Sequence, residues 1–325
     1  MKQISIIGAG VVGLWTAILA HQHHYKVTIY EQDDESLTQG CSYRAGGMLA
    51  FNCEADSKND IITSLGQKSL ILWQKFFPKL ITQNGSLLLT YPQDKDQLRY
   101  FEKTTFNYHN LDQDAINTLE PALESRFGHG LYFYNEAHLE PRLCLTALLD
   151  YCQKLGIEIH FNTKISAPIP NTITIHTTGL WGQKDLAGLR SVKGEMIIVK
   201  CPDLTLTRPV RLLHPHHPIY IVPRPDNHYM IGATTIETQG QSHHNFISVQ
   251  SAGTLLTQAF NIHPAFGEAE IIEMNVGYRP AFSDNKPQII EKQGIYYLNG
   301  LYRHGWTIAP ALANELMQKI QIISL

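Results

Sequence analysis

Gln3-Ile4-Ser5-Ile6-Ile7-Gly8-Ala9-Gly10-Val11-Val12-Gly13 opens the chain as a short apolar run leading directly into G-x-G-x-x-G. The run reads as a buried strand, and the apolar residues after the glycines read as a helix to about Gln22. Lys26-Val27-Thr28-Ile29-Tyr30 then restores a strand pattern, so the segment forms a β-α-β unit. Each glycine has a mechanical task in that setting. The first permits the tight turn, the second lets backbone approach a pyrophosphate, and the third lets helix and sheet pack closely. The helix N-terminus then faces the anion. Glu31 stands 18 residues beyond Gly13, at the end of the second strand. A carboxylate there accepts hydrogen bonds from ribose hydroxyls and repels a 2′-phosphate, which favours FAD or NAD over NADP. Gly8, Gly10, Val11, Val12, Gly13, Tyr30, Glu31 and Gln32 are the expected contacts, and the motif alone leaves FAD and NAD open.

Composition narrows the class. The 325 residues are ample for two cores, and 43% hydrophobic with 17% charged residues is the balance of a globular enzyme. A net charge of −3 without a dense Lys/Arg run argues against nucleic acid as a partner. Cys41, Cys53, Cys144, Cys152 and Cys201 are odd in number and contain no C-x-x-C pair, which suits free thiols in a reducing cytoplasm. Ile4 to Ala20 is apolar enough to suggest a signal peptide or membrane span. The three internal glycines and the strand that follows favour a buried reading, so no transmembrane segment is expected. The histidine clusters His23-His24, His214-x-His216-His217 and His243-His244 lack a helical i, i+4 pair or cysteine partner, and no metal is expected.

Further along, Ser57 to Leu80 carries apolar residues near helical spacing, with Pro78 marking its end. Short strands in the 86–134 region surround a polar, helical stretch. Leu143 to Leu155 reads as a helix, and Ile157 to Phe161 as a strand returning to the first sheet. The proline-punctuated stretch 191–236 suggests a mostly antiparallel sheet. Ile271 to Val276 and Ile295 to Leu298 are further strands, and Ala309 to Ile320 reads as a helix with Pro310 near its first position. The expected architecture is α/β. A Rossmann-type dinucleotide domain (1–80, 141–190 and 271–325) is interleaved with an antiparallel-sheet α+β substrate domain (81–140 and 191–270).

Cys41-Ser42-Tyr43-Arg44-Ala45-Gly46-Gly47-Met48-Leu49-Ala50 resembles the small-residue loop beside the flavin in the D-amino-acid-oxidase-like FAD family, and is most similar to its glycine oxidase branch, which serves thiazole biosynthesis. Small residues there let backbone approach a flat ring. Other landmarks follow in the family's order: Leu119-Glu120-Pro121, Tyr134 to Pro141, Thr178-Gly179-Leu180-Trp181, Tyr220-Ile221-Val222-Pro223-Arg224, Ile231 to Thr234, Gly277-Tyr278-Arg279-Pro280, Ser283 to Pro287, and Asn299 to Pro310. The resemblance covers essentially the whole chain. It departs in the 162–190 region, where a hairpin is shortened almost to nothing, and at Pro218, where some glycine oxidases carry a histidine.

The resemblance implies FAD as cofactor, with Ser42, Ala45, Gly46, Gly47, Met48, Leu49, Ile165, Thr178, Gly179, Trp181, Gly300, Tyr302, His304, Gly305, Trp306 and Thr307 added to its contacts. Relatives that bind flavin covalently use a C-terminal cysteine, and none follows Cys201 here, so noncovalent binding is expected. Arg279 is read as the carboxylate anchor, because a planar guanidinium at a strand end grips a carboxylate bidentately. A structural ion pair with Asp284 is the competing role. Tyr220 is expected to add a hydroxyl to that carboxylate, and Arg303 to orient substrate or ring. Both arginines also count among the flavin contacts. The helix after Gly305 presents its N-terminal dipole to a reduced ring. The expected reaction is oxidative deamination of glycine or a similarly small amine, with molecular oxygen as reoxidant and a homo-oligomer compatible with the sequence. The rivals are a D-amino-acid or sarcosine-type dehydrogenase feeding a quinone, an FAD domain of a tRNA-modifying enzyme, and a flavoprotein that binds FAD only structurally.

Overall fold

The structure, a computed structural model, describes residues 2–54, 61–238 and 245–324. Gln3–Ile7 and Lys26–Tyr30 lie parallel, Ile4 opposite Val27 and Ile6 opposite Ile29, with the helix Val11–Gln22 between them in sequence. Glu158–His160 extends this sheet beyond Lys26–Tyr30. On its other side stand Ile173–His176, Ile295–Asn299 and Gln288–Lys292, the last antiparallel. Strands buried on both faces need apolar residues at successive positions, which is why Ile4, Ile6 and Ile7 read as a run. Between Glu158–His160 and Ile173–His176 there is no further strand among the described residues, as the shortened 162–190 region implied.

The helices Val11–Gln22, Ile61–Phe76, Pro141–Lys154 and Gly305–Ser324 share one core with this sheet. Trp15 meets Trp73 edge to face with centroids 4.9 Å apart, and Trp73 stacks on Trp306 at 5.8 Å. The last helix starts at Gly305, ahead of the expected Ala309, so Pro310 lies inside it. A proline there cannot donate to the carbonyl four residues back, that of Trp306. The buried indole Nε1 of Trp73 donates to that carbonyl at 3.3 Å, which lets the helix continue through the proline.

Among the described residues the second sheet has nine strands, in the order Ile236–Glu237, Arg190–Lys200, His228–Gly232, Ile219–Arg224, Val210–Leu212, Ser86–Leu89, His129–Phe133 and His109–Asp112, with Glu270–Ala281 also paired to Arg190–Lys200. Sequence reading placed residues from 271 onward with the dinucleotide domain. The pairing of Glu270–Ala281 along the whole of Arg190–Lys200 moves that segment into the antiparallel sheet, and the chain crosses back only after Ala281. An isolated Ile271 to Val276 run gives no hint of partner, and partner choice decides the sheet.

Alternation along these strands separates two faces. Ile197, Val210, Ile219, Ile221 and Ile231 pack with Leu255, Ala259 and Ile262 of the helix Val249–Ile262. The opposite face carries Met196, Arg211, Tyr220, Val222 and Met230 and looks toward the loop after Gly40. Met48–Leu49, Ala137–Leu139 and Ile81–Thr82 form a small third sheet. Among the described residues no helix is long and apolar enough to cross a membrane. The five cysteines are unpaired. The described residues contain no cluster of metal-ligating side chains, and His243-His244 lies outside them.

Candidate active site

A cavity of about 690 Å³ runs from the glycine turn to the face of the second sheet that carries Tyr220. At its first end Gly8 has φ +108°, and an added Cβ would fall 2.8 Å from the Thr177 carbonyl oxygen. A Cβ on Gly13 would fall 1.9 Å from the Gly8 carbonyl oxygen, so helix and turn touch as the motif requires. The Thr177 hydroxyl donates to the carbonyls of Ile7 and Gly8, at 3.1 and 2.9 Å, and locks the turn to the neighbouring strand. Ser42 Oγ accepts from Val11 N–H at 3.2 Å and so caps the opening helix, which has no side-chain cap of its own. Glu31 accepts from the N–H groups of Ala9 and Asp33. The Tyr30 ring stacks on His160 at 5.1 Å. Thr163, Lys164, Ile165 and Trp181 continue the wall, with the Lys164 ammonium 5.3 Å from the indole centroid.

The middle of the cavity is bounded by Ala45, Gly46 and Gly47. Arg224 Nη2 donates to the carbonyls of Ala45 and Gly46 at 3.2 and 3.1 Å, while Nη1 reaches the Leu139 carbonyl at 3.2 Å and Glu140 at 2.9 Å. Gly47 has φ +79°, and a Cβ there would lie 2.2 Å from the Leu139 carbonyl oxygen, so only glycine fits. Trp306 Nε1 donates to the Ser42 carbonyl and Thr307 Oγ1 to that of Met48, which ties the start of the last helix to this loop.

At the far end, register builds the pocket. Arg211, Tyr220, Gly232 and Met196 are successive neighbours across four strands and share a face. The Tyr220 ring lies between Gly46 and Gly232, whose added Cβ atoms would sit 2.9 and 3.1 Å from its Cε2. Burial raises the Tyr220 phenol above its ordinary value, so the hydroxyl keeps its proton. The Arg279 guanidinium lies over Gly194, where a Cβ would come within 2.3 Å of Nη2, and donates to the Thr234 carbonyl at 3.0 Å. Asp284, the rival partner, instead accepts from the Lys286 N–H. Arg303 Nη2 donates to the Glu54 carbonyl oxygen at 3.4 Å.

Arg279, Tyr220 and Arg303 therefore share one cavity with Gly8, Gly10, Val11, Val12, Tyr30, Glu31, Gln32, Ser42, Ala45, Gly46, Gly47, Met48, Ile165, Thr178, Gly179, Trp181, Tyr302, Gly305 and Trp306. Five expected contacts lie behind its wall. Gly13 packs on Gly8, Leu49 is in the small sheet, and Gly300 turns under Phe282. His304 is buried with Nδ1 4.0 Å from Glu54, and Thr307 is spent on Met48. Sequence reasoning missed Thr177, Gly194, Arg211 and Glu54. Gly194 and Arg211 become meaningful only once strand pairing is known. Glu54 had a local signal, a carboxylate soon after the glycine loop.

Residues 3–319 match the FAD dependent oxidoreductase family, DAO. The chain belongs to this family of FAD-dependent oxidoreductases. It is 38% identical over 318 residues to the thiamine biosynthesis oxidoreductase named ThiO of Rhizobium etli, across 98% of this chain and 96% of that protein. With the glycine oxidase of Bacillus subtilis it shares 23% identity, over 94% of this chain and 89% of the other. The crystal structure of glycine oxidase from Bacillus cereus superposes with a TM-score of 0.85 at 21% identity, covering 99% of this chain and 95% of that one. The residues of this FAD-dependent oxidoreductase fit the cofactor: the turn at Gly8 and Gly13 leaves no room for side chains, an acidic residue follows the second strand, and the cavity has the size of a cofactor site.

Proposed function

We propose that this FAD-dependent oxidoreductase deaminates glycine, or a similarly small primary or secondary amino acid, for thiazole formation in thiamine biosynthesis. The observation that carries this reading is the placement of Arg279 and the Tyr220 hydroxyl on one sheet face, in the same cavity as the dinucleotide turn. Noncovalently held FAD would be gripped by the glycine turn, Glu31 and the loop 45–47, and supplies the hydride acceptor and, through molecular oxygen, hydrogen peroxide. Arg279 and Tyr220 bind and orient the carboxylate, fixing where Cα points. Met196 and Met230 on the same face give the pocket an apolar floor. Once the substrate's ammonium has given one proton to water, loss of the Cα hydride with the freed amine lone pair forming C=N yields an iminium, which water hydrolyses to glyoxylate and ammonium when the substrate is glycine. The relatives named for thiamine biosynthesis and for glycine oxidation support this choice. The test is anaerobic titration of the yellow holoenzyme with glycine, sarcosine and D-alanine, followed by peroxide measurement in air. Bleaching by at least one amine with peroxide release is expected. A flavin that none of them reduces refutes the reading, and reduction without oxygen uptake replaces the oxidase with a dehydrogenase.

A further inference from the structure

The turn formed by Asn52, Cys53 and Glu54 is strapped from several sides. The N–H groups of Asn52 and Cys53 donate to the buried Glu136 carboxyl at 2.6 and 2.8 Å, and the Thr105 hydroxyl donates to the Asn52 carbonyl at 3.0 Å. Arg211 donates to the Cys53 carbonyl and Arg303 to that of Glu54. These bonds fix backbone, while the Glu54 carboxylate itself has the His304 imidazole Nδ1 at 4.0 Å. That carboxylate is only 10% exposed, the residue lines the cavity, and among the described residues no donor hydrogen-bonds to its oxygens. Burial would raise this carboxyl, but the surrounding field of Arg303, His304, Arg211 and Arg279 holds it below its usual value, so it stays an anion. A carboxylate largely withdrawn from bulk water is stabilised by a cationic group that enters the cavity beside it.

The partner's chemistry follows from the neighbours. Glu54, Tyr220 and Arg279 line the same cavity, so the two opposite charges border one volume. Among the described residues the other carboxylates on the cavity wall lie elsewhere: Glu31 and Asp33 follow the second strand of the dinucleotide unit, and Asp185 follows the short helix Gly179–Lys184. A small amino acid whose carboxylate rests on Arg279 carries its ammonium a few ångströms away.

Resting on the reading of this pocket as an amino-acid site, we propose that Glu54 receives the substrate's ammonium and makes the pocket select amino acids over the matching hydroxy acids. The role is binding and orientation, since a carboxylate this acidic is a weak base. Two ligands of one shape separate the charges: glycine, and glycolate, which keeps the carboxylate and replaces the ammonium by a hydroxyl. Dissociation constants are read anaerobically from the flavin spectrum of wild type and Glu54→Gln, by perturbation for glycolate and by saturation of reduction, or of perturbation if none occurs, for glycine. Glycine should weaken on the order of ten- to hundredfold in the variant, while glycolate holds or tightens because a repulsive charge is gone. Equal changes for both ligands, or none, overturn the proposal. Glu54→Asp keeps the charge but withdraws it by one methylene, and serves also if the Gln variant does not assemble with flavin. It should loosen glycine more than glycolate, and equal loosening overturns the proposal. If wild type binds glycine in competition with glycolate but is not reduced, the oxidase reading fails while the ammonium assignment is still judged by the variant's ratio. If wild type binds neither ligand, both fail.

Discussion

Single side chains in this pocket are expected to act through charge as much as through contact. Arg279 donates to a backbone carbonyl and among the described residues pairs with no carboxylate, Asp284 accepting instead from the Lys286 N–H. Arg279→Ala should therefore fold and hold flavin yet lose roughly a hundredfold or more in kcat/KM for carboxylate substrates. Steady-state kinetics with the absorption spectrum as fold control checks this, and unchanged kinetics would remove the anchor assignment. Glu136 behaves differently, because burial raises its carboxyl from about 4.5 to about 8. The folded state thus binds a proton that the unfolded chain releases. Its contribution to stability is whole below about pH 4.5 and is lost as pH rises toward about 8. Glu136→Gln mimics the neutral acid and can still accept from Asn52 and Cys53, so its melting temperature should gain on wild type as pH is raised from about 5 to about 9. Parallel melting curves across that range would contradict the shift.

Helices show how a local rule is overridden by packing. Pro310 in isolation marks a helix start, and that is what the sequence pattern suggests. The helix extends to Gly305 because the carbonyl that the proline leaves without a helical donor finds the Trp73 indole on the helix Ile61–Phe76. The coupling is measurable by a double-mutant cycle. Trp73→Phe removes the donor, and Pro310→Ala returns an N–H to the Trp306 carbonyl. Trp73→Phe should cost about 1 kcal/mol less in the Pro310→Ala background than in wild type, apart from the packing loss common to both. Chemical denaturation of the four proteins gives the difference directly, and additive effects would show that the indole bond carries no weight.

Across the whole molecule, what was legible depended on how far apart the cooperating residues stand. The β-α-β unit could be read because strand, glycines and Glu31 fall within one short segment, and the loop 41–50 because small residues are a local signature. The membership of Glu270–Ala281, the space over Gly194 and the setting of Arg211 depend on strand pairing across long separations, which no window of sequence contains. Arg224 illustrates the same limit with a consequence. In the sequence it stands only as the end of a strand motif, yet its buried guanidinium joins the second sheet to Ala45 and Gly46 beside the expected flavin, and to Glu140, whose carboxylate caps the helix Pro141–Lys154 of the first unit. Burial lowers Arg224 to about 10, which still leaves it charged at neutral pH. Lysine can keep that charge but cannot span acceptors on three sides with a planar fork. Arg224→Lys should consequently fold with its far-ultraviolet spectrum unchanged while the loop 45–47 loosens. Flavin should then dissociate on the order of ten times more readily, as fluorescence of released cofactor would report, and backbone amides of that loop should exchange faster. Flavin retention and loop exchange identical to wild type would mean that the sheets hold the cofactor without this clamp.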